Sequence, residues 1–338
     1  MVHDISVMEK RAQVKEHVSE SDRICWYDNI KFILITLVTV GHFIDKNTAD
    51  SQVYRGLFLF IYTFHMPLFL FISGIFHKEG HTAKRAVSYL SIGIALQIFR
   101  IILPILWGKA KPTYAFLSEV SVPWFMYVLA GYEIFMWAVK DIDRKKLLIC
   151  SIIFACFVGY DPSIGDYLQL SRSIVFMPFY LAGTMLSPET LRKTLKRKKE
   201  FAYIGALILL LWGLACLKIP KLYSLRPLFT GRNPFSKKFL PWGCLYRLAC
   251  MVITTLTSLG VLCLVPTQKI PVLSEFGRRT LQVYFYHRAV CDILWRYGLG
   301  PMLMDNPSGK LVWIALAVAT ALLTSTKLFA YPIRWLRF

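Results

Sequence analysis

Ten mostly apolar stretches constrain what this chain can fold into: roughly residues 29–44, 56–76, 86–107, 123–139, 147–160, 173–187, 201–217, 241–265, 280–298 and 311–330. A helix needs about 20 such residues to cross the hydrocarbon of a bilayer, and somewhat fewer where its ends are anchored. The first, fifth and sixth stretches are the short ones. The pattern predicts an all-α integral membrane protein of about ten transmembrane helices. The balance of the 338 residues agrees, with 56% hydrophobic, 15% aromatic and 18% charged, apolar for a soluble domain of this size.

Charge placement orients the spans, because cytoplasmic loops retain Lys and Arg. With both termini in the cytoplasm, the inside segments hold 23 of the 40 basic residues and the outside loops 12. Half of those 12 lie in the 218–240 loop, as Lys218, Lys221, Arg226, Arg232, Lys237 and Lys238. The net charge of +20 comes from short clusters beside membrane ends, such as Arg192, Lys193, Lys196, Arg197, Lys198 and Lys199. Topology and anionic headgroups account for such clusters, and no nucleic-acid partner is expected. The eight cysteines form no Cys-x-x-Cys pair and read as small buried hydrophobes, not a metal site or a disulfide framework. Residues 1–22 are polar, without the apolar core of a cleaved signal peptide. The expected organisation is a cytoplasmic tail at 1–27 followed by one transmembrane domain at 28–338, multi-pass in the cell membrane.

Ionisable side chains inside apolar spans are costly and are therefore functional candidates. Lys31 and His42 in the first stretch return to within about 20° of one helical face and lie roughly 16 Å apart along the axis, with Asp28 about one turn earlier. Spacing alone leaves two readings open: a functional stripe, or a snorkelling lysine and an interfacial histidine. His65 sits in the second stretch two residues before Pro67, which frees a backbone carbonyl and kinks a helix. A functional imidazole and a neutral one bonded to a neighbouring helix both fit it. Arg100, Glu133, Arg247, His287 and Arg288 also occupy apolar stretches, and structural ion pairing is the expectation for Glu133 and Arg100. Trp124 and Glu133 fall on opposite faces of a regular helix unless Gly131 breaks it. No Gly-rich phosphate loop, G-x-S-x-G elbow or H-E-x-x-H helix occurs.

Several segments are less generic. Asp28-x-x-Lys31 is followed by Gly41-His42, then by Phe64-His65-Met66-Pro67-Leu68-Phe69 with Ser73-Gly74. Later come Trp124-Phe125, Arg172 with Phe176-Met177-Pro178-Phe179-Tyr180 and Gly183, and Gly277-Arg278-Arg279-Thr280-Leu281 with Tyr284 and His287. Together they resemble the membrane-bound acyltransferase 3 family, in particular its fucose 4-O-acetylase-like branch, from about residue 23 to the last helix. The resemblance implies a ten-helix fold that moves an acyl group, usually acetyl from acetyl-CoA, to a carbohydrate hydroxyl at or across the membrane. It implies that His42 is the family's essential first-helix histidine. Lys31 matches a position where much of the family has arginine, so a phosphate contact there lacks the bidentate fork. The appended esterase-like domain of large family members has no counterpart here, which leaves transfer to the membrane domain or a separate partner.

Acyl transfer to an alcohol needs a base for the hydroxyl proton and donors for the charge on the thioester oxygen. The expected assignment has His42 as general base, and His65 orienting the reactants or donating to the oxyanion. Lys31, with one or more of Arg247 and Arg288, meets CoA phosphates from the cytoplasmic side. Asp28, Ser73, Trp124, Arg172 and His287 support the site, and no metal is expected. An acylated histidine is the alternative chemistry. The expected partners are a carbohydrate or lipid-linked glycan acceptor and membrane lipids; the oligomeric state is not legible. The basic 218–240 loop is open to two readings, an anionic glycan or lipid-linked phosphate on one side and ordinary headgroups on the other. Two rival classes stand beside the enzyme: a polytopic transporter or glycan carrier, although no repeated halves are found, and a non-catalytic membrane partner or sensor.

Overall fold

Each of the ten apolar stretches has a helix as its body in a computed structural model of the protein, which describes residues 25–108, 122–197 and 199–334. No strand occurs among the described residues. Helix α1 (25–44) runs into a 3-10 turn, Asp45–Asn47, and is followed by α2 (Gln52–Ile75), α3 (Thr82–Leu106), α4 (Trp124–Ala138), α5 (Arg144–Phe157) and α6 (Leu170–Thr184). After a short surface helix α7 (Pro188–Lys196) come α8 (Lys199–Lys218), the single turn α9 (Arg226–Phe229) and α10 (Gly243–Leu264). The chain ends through α11 (Pro271–Gly277), α12 (Thr280–Arg296), α13 (Leu299–Met304), α14 (Pro307–Thr324) and α15 (Tyr331–Arg334).

Among the described residues six segments are long and apolar enough to cross a membrane: Cys25–Asn47, Gln52–Ile75, Thr82–Leu106, Lys199–Lys218, Leu240–Leu264 and Pro307–Thr324. The other four apolar helices, α4, α5, α6 and α12, have 15, 14, 15 and 17 residues. The first span is longer than the sequence suggests. It is already helical at Cys25, and Trp26 and Tyr27 are buried there, not part of a tail. Residues 1–24 of the expected tail, and Lys198 of the basic cluster, lie outside the described residues.

Burial ranks the helices. Inside the protein lies 72% of the most apolar part of the first span and 67% of that of α2, against 22% for α3 and 11% for α8. The outer helices turn Ile94, Ile98 and Ile102 of α3 and Leu207, Leu210 and Leu211 of α8 away from the protein, a surface suited to lipid rather than water. α2 packs on α6, α8 and α10. Its closest approach is to α6, where a Cβ on Gly74 would strike the backbone at Tyr180 and one on Gly183 would strike that at Phe71. Small residues let two backbones meet in this way, which accounts for the glycines of both motifs. Pro67 cannot donate to the carbonyl of Thr63, and Thr254 of α10 fills the gap, its Oγ1 donating to that oxygen at 2.8 Å.

The start of α1 is tied down on every side. Trp26 donates to Val265 O (3.2 Å), Tyr27 to Pro188 O (2.9 Å) and Asn29 to Pro266 O and Gln268 O (3.0 Å each). Ser274 donates to the Asn29 side chain at 2.7 Å. Gly277 lies so close to Asp28 that a Cβ would meet its backbone. Lys196 of α7 donates to Cys263 O and Val265 O (2.5 and 2.7 Å), capping the exposed carbonyls at the end of α10. Losing solvent there pulls the lysine below its ordinary pKa.

Candidate active site

At the opposite end of α1 and α2 lies a cavity of about 440 Å³, lined by His42 and Asp45 after α1, Tyr62, His65 and Met66 of α2, Trp124, Arg172 and Phe176 of α4 and α6, and Arg226, Arg232 and Arg288 among others. His42 occupies the last turn of α1, where helix carbonyls lack intrahelical partners. Cys291 of α12 faces the carbonyl of His42 at 3.7 Å and the indole of Trp313 donates to that of Phe43 at 2.9 Å, fixing this turn against two helices.

Three imidazoles come from three helices. The His42 and His287 rings lie 5.1 Å apart, centre to centre, at 36°. His65 of α2 lines the same cavity and meets Tyr62 edge to face at 4.6 Å. Nδ1 of His65 lies 2.8 Å from Ile61 O and Nδ1 of His287 lies 2.7 Å from Val283 O. A carbonyl only accepts, so each ring donates through Nδ1 and, when neutral, presents Nε2 as an acceptor. A neutral His65 ring therefore has no free N–H for an oxyanion, whereas the protonated ring presents one at Nε2. Nε2 of His287 is buried without a partner among the described residues. His42 differs: its Nδ1 faces an N–H of Arg288 at 3.5 Å, so its neutral form carries the proton on Nε2.

Arg288 is held from behind by Asp292 (3.4 Å), which also pairs with Lys46 at 2.8 Å. The Arg172 guanidinium lies over the Trp124 ring at 4.7 Å, bringing two of the supporting residues together on the cavity wall. Arg226 pairs with Asp45 at 2.8 Å and stacks over Phe58 at 4.5 Å.

Other expectations are separated or reassigned. Arg247 is fully buried and does not line the cavity; it donates to Leu228 O (2.8 Å), Arg232 O (3.3 Å) and the Asn233 side chain (2.9 Å), holding the loop that carries Arg226 and Arg232. Lys31 lies at the far end of α1, where Asp28 bridges it (2.6 Å) to Arg278 (3.3 Å). Lys31, Arg247 and Arg288 therefore form no single group. Ser73 donates back to Phe69 O at 2.9 Å within its own helix. Glu133 pairs with Arg85 (2.9 Å) and His77 (3.5 Å), not with Arg100, and Arg100 borders a small cleft beside Arg288 and Asp292.

Between the two ends of α1 is a second, apolar cavity of about 80 Å³, lined by Ile35, Val38, Met66, Phe69, Phe125 and Tyr284 among others. Lys31, Ile35, Val38 and His42 follow one another at spacings of four, three and four, one continuous face of a helix. Met66 borders both cavities. Tyr62, Asp45 and Met66 were not singled out as site residues by sequence. Tyr62 precedes His65 by three positions, the spacing that puts two side chains on one helical face.

The fold and the cavity define a helical membrane protein whose central helices carry imidazoles and guanidiniums to one internal chamber. The chain belongs to the acyltransferase 3 family of membrane proteins: a family model described as an acyltransferase domain matches residues 24–334. It is 27% identical over 221 residues to nodulation protein NolL of Sinorhizobium fredii (strain NBRC 101917 / NGR234), an alignment covering 58% of this chain and 57% of that protein. No solved structure matches it.

Proposed function

We propose that the protein is an integral-membrane O-acyltransferase with ten transmembrane helices and cytoplasmic termini, moving an acetyl or other acyl group from acyl-CoA to a carbohydrate hydroxyl. The acceptor is a cell-surface or lipid-linked glycan, as in the fucose 4-O-acetylase-like branch. One observation carries this reading. The Lys31–Ile35–Val38–His42 face of α1 runs from a cation at one end, along the smaller cavity, to an imidazole in the larger one. A thioester on a flexible arm, its phosphates near Lys31, fits that path.

His42 acts as general base through Nδ1. The acceptor hydroxyl gives its proton to this nitrogen, and the oxygen attacks the thioester carbonyl. Collapse of the adduct breaks the C–S bond, and the thiolate takes the proton back as CoA-SH. Arg288, within reach of the same nitrogen, stabilises the developing oxyanion. The His287 ring, 5.1 Å from that of His42, keeps Nε2 without a partner among the described residues. A turn of either ring that brings this acceptor onto the Nε2 proton of His42 holds the tautomer the base role needs, much as a buried acceptor orients the base of a catalytic triad.

Membranes containing the protein, incubated with labelled acetyl-CoA, are expected to label a carbohydrate fraction that membranes with His42→Ala leave unlabelled. Equal labelling by both would end the proposal. Label retained on the protein when no acceptor is present would assign the acyl-histidine route instead.

A further inference from the structure

Among its lining residues the larger cavity presents four guanidiniums, those of Arg172, Arg226, Arg232 and Arg288, against the single carboxylate of Asp45. That carboxylate is already engaged by Arg226. Asp292, behind Arg288, is shared with Lys46. No carboxylate pairs with Arg232 among the described residues, and its side chain is exposed at the cavity. Arg232 is thereby available to an anion at the cavity, and arginine is the residue whose planar fork suits phosphate and carboxylate.

The arrangement is built, not incidental. The loop bearing Arg226 and Arg232 is fastened from two sides. Arg247 of α10 takes Leu228 O, Arg232 O and the Asn233 side chain, while Ser171 of α6 donates to Gly231 O at 2.5 Å. Phe58 and Trp124 stack beneath the guanidiniums of Arg226 and Arg172, flattening them toward the chamber. The volume, about 440 Å³, falls in the range of small-molecule sites.

We propose that the acceptor is anionic: a hydroxyl compound of sugar size carrying a phosphate or carboxylate, which the arginines bind while His42 deprotonates a neighbouring hydroxyl. This rests on the acyltransferase reading and adds the acceptor's charge class to it.

The test uses the full chain in lipid nanodiscs, as wild type, Arg232→Gln and Arg232→Lys. Thermal-shift binding and acetyl transfer are measured with glucose 1-phosphate, galacturonate and the neutral methyl glucoside. The wild type is expected to prefer one or both anions over methyl glucoside by about tenfold or more, the size of one charge-assisted hydrogen bond. Glucose 1-phosphate against galacturonate tells phosphate from carboxylate. In Arg232→Gln that preference should fall by roughly tenfold, and Arg232→Lys should recover much of it, while KM for acetyl-CoA moves less than about twofold. A wild type indifferent to acceptor charge overturns the proposal and leaves the acyltransferase reading standing. So does an Arg232→Gln variant whose defect is in acetyl-CoA KM, since the arginines would then serve the donor's phosphates. Tight binding of the sugar anions with no transfer to any acceptor sinks the acyltransferase reading and keeps the anion site.

Discussion

The two ends of α1 carry polar residues of the same kinds and use them differently. At the start, Asn29 donates to two carbonyls and accepts from Ser274, and Asp28 is shared by Lys31 and Arg278. Almost every polar atom there has a partner, and the neighbouring loop closes over it. At the far end, among the described residues, His42 touches Arg288 only at 3.5 Å, His287 keeps a buried nitrogen without a partner, and the cavity-lining arginines outnumber the carboxylate they face. A satisfied end is a hinge-free anchor, and an unsatisfied one is poised to receive something. Buried polar groups without partners are destabilising, and the far end bears that cost at Nε2 of His287.

The largest expected effect breaks the comparison at its functional end. His42→Ala should lower the transfer rate by about 10²–10⁴-fold, the usual contribution of a positioned general base, with thermal stability of the purified protein close to wild type. A loss of activity matched by a loss of folded protein would instead make His42 part of the scaffold.

Arg247→Ala is the next largest and acts on structure. It leaves three acceptors of the 228–233 loop unpaired inside the protein, which should cost roughly 2–4 kcal/mol. A lower Tm, with protease cleavage appearing within the 226–235 segment before the start of α1 is touched, would show that the damage stays at the cavity end. Unchanged stability would mean that the loop is held by Ser171 alone.

The contrast explains what was legible in the sequence. Ionisable residues stranded in apolar stretches stand out one by one, which names His42, His65 and Arg288, while Trp124 and Arg172 come from the segments that carry the family resemblance; the structure gathers all five at one cavity. Their division of labour was not legible. Arg247 looked like Arg288, yet its partners come from a loop that only tertiary folding brings beneath it. Glu133 found Arg85 because α3 lies against α4, a pairing no spacing within one helix contains. The position of Arg288 follows from a junction: Gly277 abuts Asp28, and α12 then rises beside α1 until Cys291 reaches His42. An arginine just before Cys291 must therefore stand beside His42, far from Lys31. Five of the six long spans among the described residues are plain from hydropathy, the first reads as a short stretch because its helix begins ahead of the apolar run, and α4, α5, α6 and α12 are too short for length alone to decide.

His287→Ala sharpens the functional end with a smaller effect. Removing the acceptor beside His42 should slow transfer about tenfold, well short of the loss in His42→Ala, because the base remains and only its tautomer is less well held. His287→Gln, which can still accept a hydrogen bond, should recover part of the rate. If alanine and glutamine behave alike, the ring is packing and not a positioning group.

The smallest effects belong to the anchored end and decide whether it is an anchor alone. Lys31 is about one-third exposed and already paired with Asp28, so its contact with a donor phosphate is an exchange of one anion for another in a partly wet site. Lys31→Ala should raise KM for acetyl-CoA by about 3–10-fold while kcat stays within about twofold, since one partly screened charge contributes on the order of 1 kcal/mol. Asp28→Asn should act in the opposite direction: it frees Lys31 and Arg278 together and lowers that KM by about 2-fold or more. If both substitutions raise KM alike, the pair matters only as a brace for the start of α1, and the cation that meets the donor lies elsewhere.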